Sequence, residues 1–451
     1  MKMDSIDVEK ALDKARQLIE QEKGLSASLR AALEVLLLLV KLLLDRKTLN
    51  SKNSSKPSGA QAGHIGKTLE KVDDPDYMTA LSIDRRTLPK GNYHQAGVET
   101  RQVFDIDILR VITEYQAEIL EDEKGHRFVA SFPDNVTKAV QYGNQIKAHA
   151  VYLSQYQLLP YKRIQNYFAD QIPISEGSLY NFNVQAFAQL ADFEQMSKDQ
   201  LAKAQLAHAD ETGININGKR QWLHCASSPA WTHYFPHEKR GKAAMDDIGI
   251  LPRFQGILCH DHWKPYYRYL QLTHALCNAH HLRELTRAWE QDGMIWARDM
   301  EQLLREINRV VNYAGGALSP DEAKQYRKAY RTLLQKADNE CPAPEPPPGK
   351  LKRGRVKRSK ARNLLERLRN YEDDVLRFME NPLVPFTNNQ GENDIRITKV
   401  QQKISGCFRS VEGAKIFCRV RGYLSTCRKQ DISVSQALSL IFDGKLPDFI
   451  V

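Results

Sequence analysis

The feature that most constrains the fold is a block of strand-like segments between residues 205 and 262, with mainly helical patterning on either side of it from residue 145 onwards. Its early segments are bounded by turn residues, as short strands are. Asn217-Gly218 joins the first two, and this dipeptide favours a two-residue hairpin. After a helix-permitting stretch, an apolar segment at 256–260 is typical of a buried strand. We therefore predict a multidomain α/β protein, with three antiparallel strands at 206–216, 221–227 and 231–235 followed by a helix near 239–248 and a fourth strand.

Three carboxylates occur in an informative order. Asp210 lies in the first predicted strand, Asp261 directly follows the fourth, and Glu392 belongs to a later helical segment. Ribonuclease-H-like domains carry three acids in this order. Two Mg²⁺ ions sharing one site need such hard oxygen ligands, and Mn²⁺ accepts the same ones. Any one Asp at a strand end is more often a cap or turn residue. Together, the three predict a catalytic site in which Asp210, Asp261 and Glu392 bind two metal ions.

Several segments resemble bacterial insertion-sequence transposases of the insertion sequence 66 family. The more specific are the Cys-x-x-His of residues 277–280 and the Asn-Asn-x-x-Glu of residues 388–392. Because weaker matches continue into the N-terminal third, the resemblance covers most of the chain. These weaker matches lie at 53–57, 132–133, 141–143, 208–212, 256–266 and 384–399.

The resemblance implies a DNA transposase with a ribonuclease-H-like catalytic domain, in which Asp210, Asp261 and Glu392 form the acidic triad. Transposases of this broad class often carry a basic residue seven positions after the Glu, which here is Lys399, with Arg396 beside it. It also implies a helical insertion between the second and third acids. In one respect the chain departs from the family, because no cysteine precedes Cys225 where a zinc-binding module is usual.

These observations predict a catalytic core preceded by a mostly helical DNA-binding region. Leucine and valine spaced by four and three residues in the first segment favour a coiled-coil helix, although a helix packed on its own protein fits equally well. The predicted parts are a coiled-coil helix (1–49), a linker (50–98), a small β module (99–135), a helix-turn-helix-like connector (136–200), the catalytic domain (201–265 and 379–430), the helical insertion (266–378) and a C-terminal tail (431–451).

For the β module and the connector, the sequence also predicts individual strands, turns and helix caps. Strands are expected at 103–108 and 111–115 in the β module, with a hairpin around Lys124-Gly125. In the connector, Ser175 is expected to cap the second helix of the helix-turn-helix, and a connector of two packed helices is at least as well supported.

Basic charge is concentrated locally. The chain has a formal charge of +10, and residues 350–370 alone hold ten Lys or Arg against one acidic residue. Such a run is more often a solvated face or tether, but it also gains free energy by releasing counterions from DNA. With Trp263 as the best candidate for stacking on a base, the predicted DNA-binding residues are Lys399, Arg396, Arg409, Trp263, Lys350, Lys352, Arg353, Arg355, Lys357 and Arg358.

Two other functions compete with the transposase interpretation. Nine of thirteen histidines fall between residues 208 and 281, as a zinc-dependent hydrolase could require, although no His-Glu-x-x-His helix is present. The helix-turn-helix and basic block would also suit a non-enzymatic DNA-binding regulator. Cys277 and His280 lie on one helical face and could bind zinc, but structural packing is favoured.

Cysteine content and hydropathy predict the cellular compartment, and the family resemblance implies the partners. Seven cysteines without a Cys-x-x-Cys pair favour a reducing cytoplasm, and the longest apolar run is too short to span a membrane. By the resemblance, the partners are double-stranded DNA, as terminal inverted repeats and target, together with further copies of the chain in a homodimer or higher oligomer. Accessory proteins of the same element and a bacterial, nucleoid-associated location are also implied, with no membrane partner.

Overall fold

The computed structural model describes residues 2–3, 6–7, 69–106, 108–344 and 358–450, in two compact units, Met1–Ile108 and Leu109–Val451. In the first unit, strand β1 (Lys2–Met3) pairs antiparallel with β2 (Ile6–Asp7). Residues 69–106 contain one 3-10 turn, Arg85–Thr87, and no buried residue. The predicted coiled-coil helix lies outside the described residues apart from these strands.

The second unit begins with an exposed hairpin of β3 (Ile119–Glu121) and β4 (Arg127–Val129). It turns at Lys124-Gly125, which confirms that predicted hairpin. The strands predicted at 103–108 and 111–115 are wrong, since the described residues there are neither helix nor strand. Val103, Ile106 and Val111 are more than four-fifths exposed. These β-branched residues have strand propensity, but they pair with no strand in the described part of the chain.

A five-stranded mixed sheet forms the centre of the second unit. Its strands are β5 (Leu206–Ile216), β6 (Lys219–Ser227), β7 (Thr232–His237), β8 (Ile257–His260) and β9 (Thr273–Leu276). In the order β7-β6-β5-β8-β9, the first three are antiparallel and the last three parallel. The three antiparallel strands, the Asn217-Gly218 turn and the fourth strand are confirmed. The fifth strand was not predicted.

Helices cover both faces of the sheet. Helix α5 (Lys242–Ile248) packs on the face that carries Ala207 and Ala209. On the opposite face, Ile214 and Ile216 meet α11 (Asn389–Ser405) and α12 (Val411–Lys429). Successive strand residues point to opposite faces, so Asp210 belongs to the α11 side and Glu211 to the α5 side.

The helices before the sheet share a core with those at the C-terminus. Helices α1 (Asn144–Val151), α2 (Tyr161–Phe168), α3 (Glu176–Gln189) and α4 (Ala191–Lys203) pack with α12 and with α13 (Val434–Phe442), which occupies the predicted tail. Ser175 caps α3 as predicted, accepting a hydrogen bond from the Ser178 amide at 3.0 Å. Asn183 of α3 is fully buried and accepts a hydrogen bond from Gln155 at 2.6 Å, so this polar residue of the predicted second helix of the helix-turn-helix contacts the protein interior.

Most of the described residues between β9 and α11 are helical. They form α6 (Asn278–Asp292), α7 (Ile295–Tyr313), α8 (Pro320–Glu340), α9 (Lys360–Asn370) and α10 (Glu372–Leu376), which share one apolar core. The helical content predicted for this stretch is therefore confirmed. Among the described helices, none combines the length and apolarity needed to cross a bilayer.

A close backbone approach at Gly256 gives a stability prediction. A Cβ atom there would lie 2.5 Å from the Ala204 carbonyl oxygen and 2.6 Å from that of Gln205. Gly256→Ala would force β8 away from the chain leading into β5, so we expect a loss of roughly 2–4 kcal/mol in the free energy of unfolding. The control is Gly143→Ala, where a Cβ meets nothing within 4 Å. Equal urea midpoints for the two variants would contradict this prediction.

Candidate active site

Strand pairing places Asp210 next to Asp261. The last residue pair between the parallel strands β5 and β8 is His208 with Cys259, and each acid lies two residues further along its strand direction. Because neighbouring strands are about 4.8 Å apart, both acids lie just beyond the last β5–β8 pair, at the same end of that pairing. Asp210 accepts the Glu211 amide at 2.8 Å and Asp261 accepts the Trp263 amide at 3.0 Å.

Glu392 reaches this edge in the first turn of α11. The side chain of Asn388, just before that helix, contacts His208 Nδ1 at 2.7 Å and donates to the Ala209 carbonyl at 3.1 Å. Its backbone amide donates to the Cys277 sulfur at 3.1 Å. Asn388 is almost fully buried, so these bonds fix the start of α11 against β5 and thereby position Glu392. This gives a physical reason for the Asn-Asn-x-x-Glu pattern.

Cys277 and His280 meet Glu392 directly. The Cys277 sulfur lies 3.7 Å and His280 Nδ1 3.6 Å from Glu392 Oε1. Their potential ligand atoms, one from each of the three residues, all lie within 4.8 Å of one another. Within the described ranges this is the one group of at least three His, Cys, Asp or Glu close enough to share an ion. The i, i+3 spacing therefore brings Cys277 and His280 beside the third acid.

A second carboxylate group lies on the other face of β5. The Glu211 side chain is 1% exposed and accepts hydrogen bonds from Arg240 Nε at 2.7 Å and from Tyr266 Oη at 2.6 Å. Burial raises the pKa of Glu211, while the hydrogen bond from Tyr266 and the charge of Arg240 act in the opposite direction. These partners were not predicted from the sequence. The sequence signal that could have found them is a glutamate inside a strand, because a carboxylate buried there requires a partner.

Asp210 has no comparable compensation. Burial, followed by the charge of Glu211, raises the pKa of Asp210 to about 7, with smaller contributions from Asp261 and Glu392. Asp261 and Glu392 thus both lie within electrostatic reach of Asp210. Arg283, 3.8 Å from Glu392, is the described basic side chain paired with these acids, and Asp210 itself has no ion-pair partner among the described residues.

The histidine-rich segment does not form a zinc site in the described residues, because only His280 belongs to a group with other metal-binding side chains. Other histidines are engaged in hydrogen bonds: His260 with His274 at 3.1 Å and His281 with Asn278 at 3.0 Å. Burial lowers the pKa of His281 to about 3 and that of His233 likewise, which keeps both rings neutral. This arrangement favours a structural role for most of the segment.

The predicted DNA-binding residues fall into three groups. Arg396, Lys399 and Arg409 are exposed, and Lys399 Nζ donates to the Gly213 carbonyl of β5 at 2.9 Å. Arg358 is ion-paired with Glu366 and only 27% exposed. The remaining cations, Lys350, Lys352, Arg353, Arg355 and Lys357, lie outside the described residues.

Trp263 is half-buried and adjoins the acids. Its ring lies edge-on to Tyr266 and 4.3 Å from the Arg240 guanidinium carbon. The predicted free stacking surface is thus partly occupied by an arginine of the protein itself.

The raised pKa of Asp210 gives a pH-dependent prediction. An acid with a higher pKa in the folded state than in the unfolded state destabilises the fold increasingly as pH rises from about 4 to about 7. Asp210→Asn should therefore stabilise the metal-free protein, by up to roughly 4 kcal/mol above pH 7 and by less at pH 5. Melting temperatures at several pH values in a chelator test this. The exposed Asp134→Asn is the control, and a gain independent of pH would exclude the explanation.

The comparisons with known proteins agree with this geometry. A family model described as "Transposase IS66 family" matches residues 139–416, more than half of the chain. The uncharacterized protein y4jO of Sinorhizobium fredii (strain NBRC 101917 / NGR234) is 36% identical over 70 residues, which are 16% of this chain. That match spans 22% of the relative's own length. The family match extends from α1 through the sheet and the three acids into α12, and the chain therefore belongs to the IS66 family of transposases.

Proposed function

We propose that this protein is a DDE transposase that cuts DNA at transposon ends and joins those ends to target DNA, with Asp210, Asp261 and Glu392 as the catalytic acids. The observation that supports the proposal is the approach of these acids to one end of the sheet, from β5, the end of β8 and the first turn of α11, although their ligand atoms do not all lie within 4.8 Å of one another. The charges of Asp261 and Glu392 both act on Asp210. Among the described ion pairs, Arg283 lies 3.8 Å from Glu392, while neither Asp210 nor Asp261 has a basic partner, so a metal-binding role explains the placement of these two acids beside each other.

The sheet supports a ribonuclease-H-like core. Three antiparallel strands lead into a helix and a parallel fourth strand, with the first acid on the first strand and the second directly after the fourth. The third acid arrives from a helix after a long insertion. Residues 201–265 and 379–430 are accordingly proposed as the catalytic domain, and 266–378 as its insertion.

The donor set fits hard divalent cations. Oxygens from Asp210, Asp261 and Glu392 suit Mg²⁺, with Mn²⁺ as a substitute, and the uncompensated charge on Asp210 favours a cation there. When bound, two such ions supply Lewis-acid stabilisation of the attacking and leaving oxygens. Cys277 and His280 are softer donors beside Glu392. We assign them the structural role of orienting that carboxylate.

The chain's own residues chiefly position the reacting groups, as phosphoryl transfer requires. In the first reaction, a water oxygen attacks a phosphorus atom at the transposon end, the bond to the 3′ oxygen breaks, and a 3′-hydroxyl is left. In the second, that hydroxyl attacks a target phosphodiester in line and displaces another 3′ oxygen. Neither reaction needs a covalent enzyme intermediate. Asn388 fixes the start of α11, while Lys399 and Arg396 neutralise nearby phosphates, and Arg409 and the 350–358 block contact flanking DNA.

The partners follow from this function. They are transposon terminal inverted repeats and target DNA, with two or more copies of the chain needed to bring two ends together, in the bacterial cytoplasm at the nucleoid. Accessory proteins of the same element are further proposed partners. A non-enzymatic DNA-binding regulator is the alternative, favoured only by the connector helices and the basic block. The placement of the acids, which a regulator would not need, argues against it.

Removing one acid tests the proposal. Glu392→Gln and Asp261→Asn each remove a carboxylate while preserving side-chain size, so we expect strand transfer to fall by at least about 100-fold, with DNA binding retained. The assay joins a labelled DNA end carrying the element's terminal repeat to a supercoiled plasmid in Mg²⁺. Glu412→Gln is the matched control, because Glu412 is an exposed acid in the first turn of α12.

Full strand transfer by either acid variant would exclude the triad. Loss of transfer in Glu412→Gln as well would show that the effect is not specific to the site. If the unsubstituted protein bound the repeat without cutting or joining it in either Mg²⁺ or Mn²⁺, the regulator interpretation would replace the transposase one.

A further inference from the structure

Four side chains beside the acids form a continuous stack of alternating arginine and tryptophan. The Arg220 guanidinium carbon lies 5.0 Å from the Trp222 ring, and that of Arg240 lies 4.9 Å from the same ring and 4.3 Å from Trp263. We call these four residues the Arg-Trp stack. Trp263 follows Asp261 by two residues, so one end of the stack adjoins the acids. Arg220, at the start of β6, is the other end.

The sheet register gives the direction of the stack. Arg220 pairs with Asn215, Trp222 with Gly213 and Cys225 with Asp210. Paired residues point to the same face, so Arg220 and Trp222 lie on the α5 side of the sheet with Gly213 and Glu211, and the stack runs from Trp263, beside Asp261, towards the hairpin turn. Gly213 allows the arrangement, because a Cβ there would lie 3.1 Å from an Arg220 nitrogen.

The two arginines differ in their charge balance. Arg240 is ion-paired with the buried Glu211 and 37% exposed. Arg220 is exposed, and none of the ion pairs among the described residues involves it. By contrast, Arg298, which stacks on Trp289 at 5.2 Å, is paired with Asp299. The Arg-Trp stack therefore keeps an uncompensated positive charge at its outer end.

A second cation lies close to the same stretch of β5. Lys399 Nζ donates to the Gly213 carbonyl, directly opposite Trp222 in the register. Arg220 and Lys399 thus both approach β5 at Gly213, from β6 and from α11.

We propose that the Arg-Trp stack is a DNA-binding surface that holds the phosphate backbone of duplex DNA beside the acids, with Arg220 as its principal phosphate contact. The proposal rests on the proposed transposase function, and it names a contact that the acidic triad does not require. The tryptophans hold the guanidinium planes in place, so less conformational entropy is lost when a phosphate binds than for a free arginine. Recognition through phosphate and charge is independent of sequence.

The test measures DNA binding by the full chain in the absence of divalent metal. The probes are a labelled duplex of mixed sequence and a labelled poly-thymidine strand of equal length, each titrated over a range of salt concentrations. Arg220→Gln removes the charge but keeps the stem, and should weaken duplex binding several-fold while reducing the slope of log affinity against log salt by about 1. Arg220→Lys, which keeps the charge, should retain most of the slope.

Arg298→Gln is the matched control, since it removes an arginine stacked on a tryptophan elsewhere, and it should leave the slope unchanged. Equal melting temperatures for Arg220→Gln and Arg220→Lys show that the difference between them reflects charge and not folding. An unchanged slope for Arg220→Gln would overturn the proposal, as would a loss confined to the single strand. Because binding is measured without metal, this failure is distinct from retained strand transfer in Glu392→Gln, which would instead remove the proposed function.

Discussion

The arrangement of the site depends on the pairing of β5 with strands on both of its sides. Its antiparallel pairing with β6 begins at the Asn217-Gly218 turn, and its parallel pairing with β8 ends at His208 and Cys259. A slip of one residue would turn Asp210 to the face now held by Glu211. Burial of Ala207 and Ala209 on one face and of Ile214 and Ile216 on the other opposes such a slip. The apolar alternation of one strand therefore sets the position of the acids.

The two adjacent acids of β5, Asp210 and Glu211, lie in different environments. Glu211 is neutralised by Arg240 and hydrogen-bonded by Tyr266, so it is satisfied within the protein. Asp210 receives one backbone hydrogen bond and is surrounded by other carboxylates. Leaving a buried acid unpaired costs stability, and such costs are concentrated at functional sites. The contrast separates a structural carboxylate from one that is available to a ligand, although both stand side by side in the sequence.

The sequence predicted those features that depend on local patterns. Strand β5 and its turn were found because alternation and Asn-Gly act over a few residues, and Ser175 was found because a cap is local. Strand β9 was missed because its four residues, Thr273–Leu276, lie in a region of helical pattern. Residues 103–108 have the composition of a strand, but the described residues among them pair with no other described strand. The Glu211–Arg240 pair joins residues 29 positions apart, and the Arg-Trp stack joins three separate segments, so neither leaves a local pattern.

The helical stretch between β9 and α11 is joined to the acids at both of its ends. Cys277, which follows β9, donates its amide to the His260 carbonyl beside Asp261, and Asn388, which precedes α11, donates its amide to the Cys277 sulfur. Asn278, which follows Cys277, donates its side chain to the Val375 carbonyl of α10 and its amide to that of Phe386. Asp210 and Asp261 are brought together by strand pairing, whereas the position of Glu392 depends on contacts between residues more than 100 positions apart. Closing so long a loop costs conformational entropy, so the packed helices between β9 and α11 are needed to hold the third acid in place.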